Sequence, residues 1–163
     1  IVEEMFERAD EKPTDSFLYS LSMGQGTQNI SLLMHNEYLS NDNLFVIQAN
    51  AIKEIAAEHS CIMIGRCADY ILSDVCDVVS VFIHADKDYR IKRICKTEGL
   101  KESDAATKVR KTDKKRANYY NFYAEEAWGV ASTYDLCLNS GKLGIDGCVA
   151  MITAYLQQRK KQE

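Results

Sequence analysis

A parallel α/β sheet with helices on both faces is the fold class this sequence predicts, and three observations predict it. Apolar runs at 61–65, 78–84 and 134–139 are too continuous for half-exposed strands and read as strands covered on both faces. Helical patterns separate them, the alternation that builds parallel sheets. The first run stops at a Gly65-Arg66 pair, so an arginine is expected at the carboxyl end of a strand, where open α/β sheets bind their ligands. Its planar fork suits a phosphate or carboxylate, though a surface arginine after a core strand fits the same letters.

The elements follow in order. Residues 1–10 have a helical pattern that Pro13 ends, and 16–23 read as a second short helix. Gly24-Gln-Gly-Thr-Gln-Asn is a breaker-rich loop. Asn41-Asp-Asn offers an N-cap for a helix over 43–58, with Leu44, Ile47, Ala51, Ile55 and Ala56 at helical spacing. After the strand at 61–65 comes the strand at 78–84. Asp86 then caps a helix through Cys95, on which Arg90 and Arg93 share a face. Residues 101–123 are helical in pattern yet nearly lack Leu, Ile and Phe. The strand at 134–139 leads through Ser-Gly-Lys-Leu-Gly into a last helix over 145–160, striped by Ile145, Val149, Ile152 and Leu156.

The totals bound the function. The 163 residues fit one domain with a full core. A net charge of −4 argues against nucleic-acid binding by the whole molecule, so an anion site has to be a local basic cluster. No apolar run reaches the roughly 18 residues of a membrane span, and no signal-peptide pattern opens the chain. The cysteines at 61, 67, 76, 95, 137 and 148 form no Cys-x-x-Cys pair, and with His59 they match no zinc spacing. Cys61, Cys137 and Cys148 fall in apolar stretches and are expected to be buried thiols. No structural metal is expected, and a reducing cytoplasm is the expected compartment. The opening Ile-Val-Glu-Glu-Met-Phe-Glu-Arg resembles the middle of a helix without an initiator Met, and three strands make a thin sheet. A segment upstream is therefore expected.

One cluster carries chemistry. Over 101–118 there are seven Lys or Arg against three acids, and Arg110, Asp113 and Arg116 share a helical face. A basic helix with so little apolar surface is not expected to be held mainly by burial. It suits a cover over a polyanion, with Asp113 holding the arginines in register; a solvated charged helix is the plainer reading. Arg66, Arg90 and Arg93, all beyond strand ends, favour the cover. Phosphoryl transfer needs such a set, because its transition state spreads charge over phosphoryl oxygens and catalysis is mostly positioning and cationic stabilisation. Tyr119, Tyr120 and Tyr123 fit packing near Trp128 better than stacking on a ligand.

Gly65-Arg66-Cys67-Ala68-Asp69-Tyr70-Ile71-Leu72, Val81-Phe-Ile-His-Ala-Asp with Arg90-Ile-Lys-Arg93, Lys111-Thr-Asp-Lys-Lys-Arg-Ala-Asn-Tyr-Tyr120 and Tyr134-Asp-Leu-Cys-Leu-Asn-Ser140 resemble the cytidylate-kinase-like family of P-loop proteins, in order and over essentially the whole chain. Phe17-Leu-Tyr-Ser-Leu-Ser-Met-Gly24 resembles that family's region before its third strand. The resemblance implies a three-layer P-loop NTPase fold with sheet order 2-3-1-4-5, whose first two strands are missing here, and a helical lid. Within a single domain over 1–163, it implies a helical monophosphate-binding part at 1–58, a core at 61–99 and 134–160, and a lid at 100–128.

It also implies an ATP-dependent nucleoside monophosphate kinase acting on CMP, dCMP or a similar monophosphate, with ATP and Mg2+ as cofactors. Its partners would be small-molecule nucleotides rather than nucleic acid or membrane, and a homo-oligomer is compatible with it. Arg66, with Asp69, would bind the acceptor. Arg90, Arg93, Ser140 and Lys142 would meet the donor nucleotide. Arg110, Asp113 and Arg116 would be the catalytic lid set, with the first arginine about one residue out of the family's spacing. Two departures stand out. The Gly-x-x-x-x-Gly-Lys-Ser/Thr loop is not found in residues 1–163, which alone are expected not to turn over. Cys67-Ala-Asp69 replaces an Asp directly after Gly-Arg, which bears on cytosine selectivity. A nucleotide sensor without catalysis on the same scaffold is the alternative; a thiol or metal protein is disfavoured by the cysteine pattern.

Overall fold

The computed structural model describes residues 41–161. The expected helices at 1–10 and 16–23 and the glycine-rich loop at 24–29 lie outside the described residues. The chain divides into two compact units: residues up to Val78 together with Lys115–Trp128, and Val79–Lys114 together with Gly129 onwards.

In the first unit, α1 (Asn41–Glu58) already takes in the three residues read as its cap. Its buried side chains are Gln48 and Ile52, with Phe45, Ala49 and Ala56 packed beside them. The predicted stripe is thus rotated, and Ile47 and Ile55 stay about half exposed (53% and 47%). Apolar residues surround this helix, so spacing alone does not choose its face. Phe45 does, by stacking on Tyr123 with ring centroids 4.0 Å apart.

The expected strand at 61–65 does not form. Ile62 and Ile64 are 92% and 91% exposed, and Met63 packs on the core between them. A strand exists by its ladder, and among the described residues no strand pairs with this segment. α2 (Ala68–Leu72) follows and contributes Ala68, Ile71 and Leu72 to a cluster completed by Ile52, Cys67, Tyr119, Tyr120 and Ala124.

In the second unit, β1 (Val81–His84) and β2 (Leu136–Asn139) pair in parallel, Val81 opposite Leu136 and His84 opposite Asn139. Both are shorter than the runs that announced them. So short a pair is marginal alone, and side chains pin both ends. Asp135 Oδ2 accepts from Ser80 N–H at 2.7 Å and Ser80 Oγ at 3.0 Å, while Asp135 Oδ1 accepts from Tyr155 Oη at 3.3 Å. At the other end, Ser140 Oγ donates to the His84 carbonyl at 3.0 Å.

α3 (Lys87–Glu98) and α4 (Glu102–Tyr123) meet through a tight turn. Asp86 does occupy the N-cap position of α3, without a side-chain capping bond. Gly99 ends α3 in the left-handed region (φ 67°) and donates its N–H to the Cys95 carbonyl at 3.0 Å. Ile91, Ala105 and Val109 form the cluster behind the turn. α4 is therefore held by burial after all: Ala105 and Val109 in the second unit, and Tyr119 and Tyr120 in the first. Alanine, valine and tyrosine supply the apolar surface that a search for Leu, Ile and Phe overlooks. The three tyrosines pack, as the plainer reading had it.

α5 (Ser140–Arg159) is interrupted at Gly144 (φ 69°, ψ −179°). Ser140-Gly-Lys-Leu is accordingly a helical turn rather than the expected loop, because Asn139 Oδ1 accepts from Gly141 N–H at 3.0 Å and caps it. The predicted stripe is mostly uncovered: Ile145 is 68% and Val149 57% exposed, and Cys148 is the buried position. A two-stranded sheet offers this helix little surface to cover. None of the six cysteines is in a disulfide; Cys61 and Cys137 are exposed, against expectation, and Cys67 and Cys148 are buried. Cys61 lies in the unpaired segment, and Cys137 points to the open face of β2. No described helix is long and apolar enough to cross a membrane.

Nothing lies within 4 Å of a Cβ built on Gly99, so replacing it tests conformation alone. Gly99→Ala should cost about 1 kcal/mol in urea unfolding with an unchanged denaturant slope. No loss would mean that the turn is not left-handed there.

Candidate functional site

Gly65, Arg66 and Cys67 all have left-handed backbones, with φ of 68°, 59° and 54°. Only the first pays nothing for it. The other two cost about 1–2 kcal/mol each. The turn closes with a bond from Ala68 N–H to the Gly65 carbonyl at 3.1 Å, and Ile71 N–H reaches back to Cys67 at 2.8 Å. What holds it is burial: Cys67, Ala68, Ile71 and Leu72 are between 3% and 8% exposed. Burying Ile and Leu alone contributes about 1.5–3 kcal/mol each, enough to outweigh the strain.

The turn leaves Arg66 half-buried, with Nη1 shielded from solvent and unmatched by an acceptor among the described residues. An unmet charged donor of this kind is costly, and it suits an anionic oxygen. Three residues on, Asp69 is half-buried and its Oδ2 accepts from the hydroxyl of buried Tyr120 at 2.8 Å. The first unit thus sets a cation and a fixed carboxylate on one turn and the helix after it.

In the second unit, Arg90 Nη1 donates to both Asp113 oxygens, at 2.7 and 2.9 Å. Asp113 is therefore engaged by Arg90 on α3, a partner that the face shared by Arg110, Asp113 and Arg116 does not reveal. Across a helix pair a neighbour's arginine reaches both oxygens at once, which same-helix spacing cannot reveal. Arg90 Nε is also buried without a partner among the described residues. Arg93 and Arg110 are exposed in this unit, as is Arg116 in the first. Ser140 is spent on the strand end, and Lys142 Nζ lies 3.7 Å from Asp86 Oδ2.

Two features were not legible beforehand. The Asp69–Tyr120 bond spans 51 positions with no local signal. The left-handed run was signalled by Gly65 alone, since Arg and Cys are poor indicators of positive φ.

Comparison with known proteins adds the following. The model of the cytidylate kinase-like family matches residues 1–142. A cytidylate kinase of Thermococcus kodakarensis (strain ATCC BAA-918 / JCM 12380 / KOD1) is 29% identical over 104 residues, covering 63% of this chain and 52% of that enzyme. The chain thus spans about half the length of that relative. A crystal structure of an uncharacterized protein from Eubacterium ventriosum ATCC 27560 superposes with a TM-score of 0.68 at 36% identity, over 75% of this chain and 69% of that one. The α/β arrangement is consistent with a kinase-like fold.

The strained turn can be tested apart from ligand binding. Arg66→Gly and Arg66→Ala both remove the guanidinium, but glycine alone relieves the left-handed backbone. Arg66→Gly should unfold at the higher urea concentration, by about 1 kcal/mol. Equal midpoints would contradict the turn.

Proposed function

Because the chain belongs to the cytidylate kinase-like family, we propose that the protein transfers the γ-phosphoryl group of ATP to the phosphate of CMP, dCMP or a similar nucleoside monophosphate. The observation that carries this reading is Arg66, whose Nη1 is buried with no acceptor among the described residues, on a backbone in the left-handed region. In the first unit, Arg66 takes the acceptor's phosphate, and Asp69, its carboxylate fixed by Tyr120, accepts hydrogen bonds from the acceptor nucleoside. In the second, Arg90, Arg93, Ser140 and Lys142 serve the donor nucleotide.

An oxygen of the acceptor phosphate attacks the γ-phosphorus, the bond to the bridging oxygen breaks, and ADP leaves with the electron pair. A phosphate monoester is largely ionised at neutral pH, so no general base is needed. Arg110 and Arg116 offset the charge on the transferring group, and Asp113 sets how far Arg90 can join them. Residues 100–128 act as the cover that keeps water from intercepting the phosphoryl group. Among the described residues no three His, Cys, Asp or Glu side chains gather to hold a metal. Magnesium in such reactions is bound largely through substrate phosphates.

The test is a coupled assay of the full-length protein with CMP, dCMP, UMP and AMP. Phosphorylation of at least one monophosphate is expected, with Arg66→Ala lowering kcat/KM for it by about 10-fold or more. Inertness toward every monophosphate would overturn the reading. An undiminished Arg66→Ala variant would remove Arg66 from it.

A further inference from the structure

The Arg90–Asp113 pair is built in an unusual way. A guanidinium has five N–H donors, and its strong pairing with a carboxylate uses two nitrogens in parallel. Here one nitrogen, Nη1, serves both Asp113 oxygens, and Nε is buried without an acceptor among the described residues. Arg90 is neutralised while part of its donor set stays uncommitted.

Its place in the hairpin matters equally. The turn end of α3 and α4 is closed by Gly99, by the Glu98–Lys108 ion pair and by the Ile91, Ala105 and Val109 cluster. Arg90–Asp113 lies beside that cluster, next to Ile91 on α3 and four residues beyond Val109 on α4, and its side chains are 35% and 31% exposed. The pair is part-buried, so parting it leaves each group in want of a partner that water or a bound anion must supply. A polyphosphate presents oxygens in several directions and can engage Nε as well as the terminal nitrogens. A carboxylate left in place would repel it.

We propose that Asp113 is a built-in competitor, an internal anion that occupies Arg90 until a polyphosphate displaces it. Identifying that polyphosphate as the phosphate tail of a nucleoside triphosphate rests on the kinase reading above. The displacement itself does not. Asp113 thereby sets the threshold for donor binding in the second unit.

Binding of inorganic tripolyphosphate to the full-length protein, measured by calorimetry, tests this. Asp113→Asn keeps the shape and removes the charge, and Asp113→Ser removes the carboxylate by a different route. Both should tighten binding by about 5-fold or more, the low end of ordinary coupling. The gain should vanish when Arg90→Gln is added, because the competition is for Arg90 alone. Unchanged or weaker binding in both variants would overturn the proposal, as would a gain that survives Arg90→Gln. Failure of wild type and both variants to bind tripolyphosphate would overturn it too. If binding tightens as expected but no monophosphate is phosphorylated, the kinase reading falls and the competitor stands.

Discussion

The left-handed turn at Gly65–Cys67 is the constraint on which the first unit depends. It ends the extended segment, reverses the chain into α2, and delivers Cys67, Ala68, Ile71 and Leu72 to the core. The same three residues hold Arg66 where its Nη1 loses water without gaining an acceptor among the described residues. Strain, an unmet donor and a well-buried helix meet within eight residues, 65–72. Stability of the core offsets both local costs, a distribution usual where a backbone is shaped for a ligand.

Charge in the second unit follows a different economy. The strand pair is fixed by short polar side chains, with Asp135 joining Ser80 and Tyr155, and Ser140 reaching the His84 carbonyl. The helical hairpin is fixed by apolar contacts near its turn. Arg90 and Asp113 pair beside those contacts, both carboxylate oxygens accepting from one nitrogen, whereas Asp135 accepts from three separate groups.

The sequence was most legible where residue type and geometry coincide. Asp86 before a helix, Gly99 after it, and the paired strands at 81–84 and 136–139 follow from propensity and pattern. The family, too, was legible from its motifs, whose arginines stand at defined intervals from strands. The run at 61–65 misled because apolar continuity reports a tendency to be covered, whereas a strand requires a partner. Helix faces misled for a related reason. α1 is apolar nearly all round and α4 buries tyrosine and alanine, so tertiary contacts chose the face in both. Long-range pairs such as Asp69–Tyr120 and Arg90–Asp113 leave no mark in local spacing at all.

The central claim is that the Arg66 guanidinium is the acceptor phosphate's seat. Nitrogen-15 NMR of its side chain in the full-length protein tests this most directly, with the Arg66 signal assigned by its loss in Arg66→Lys. Titration with CMP and with inorganic phosphate should shift that signal, while cytidine without a phosphate should leave it unmoved. An Arg66 signal unchanged at saturating CMP would contradict the account.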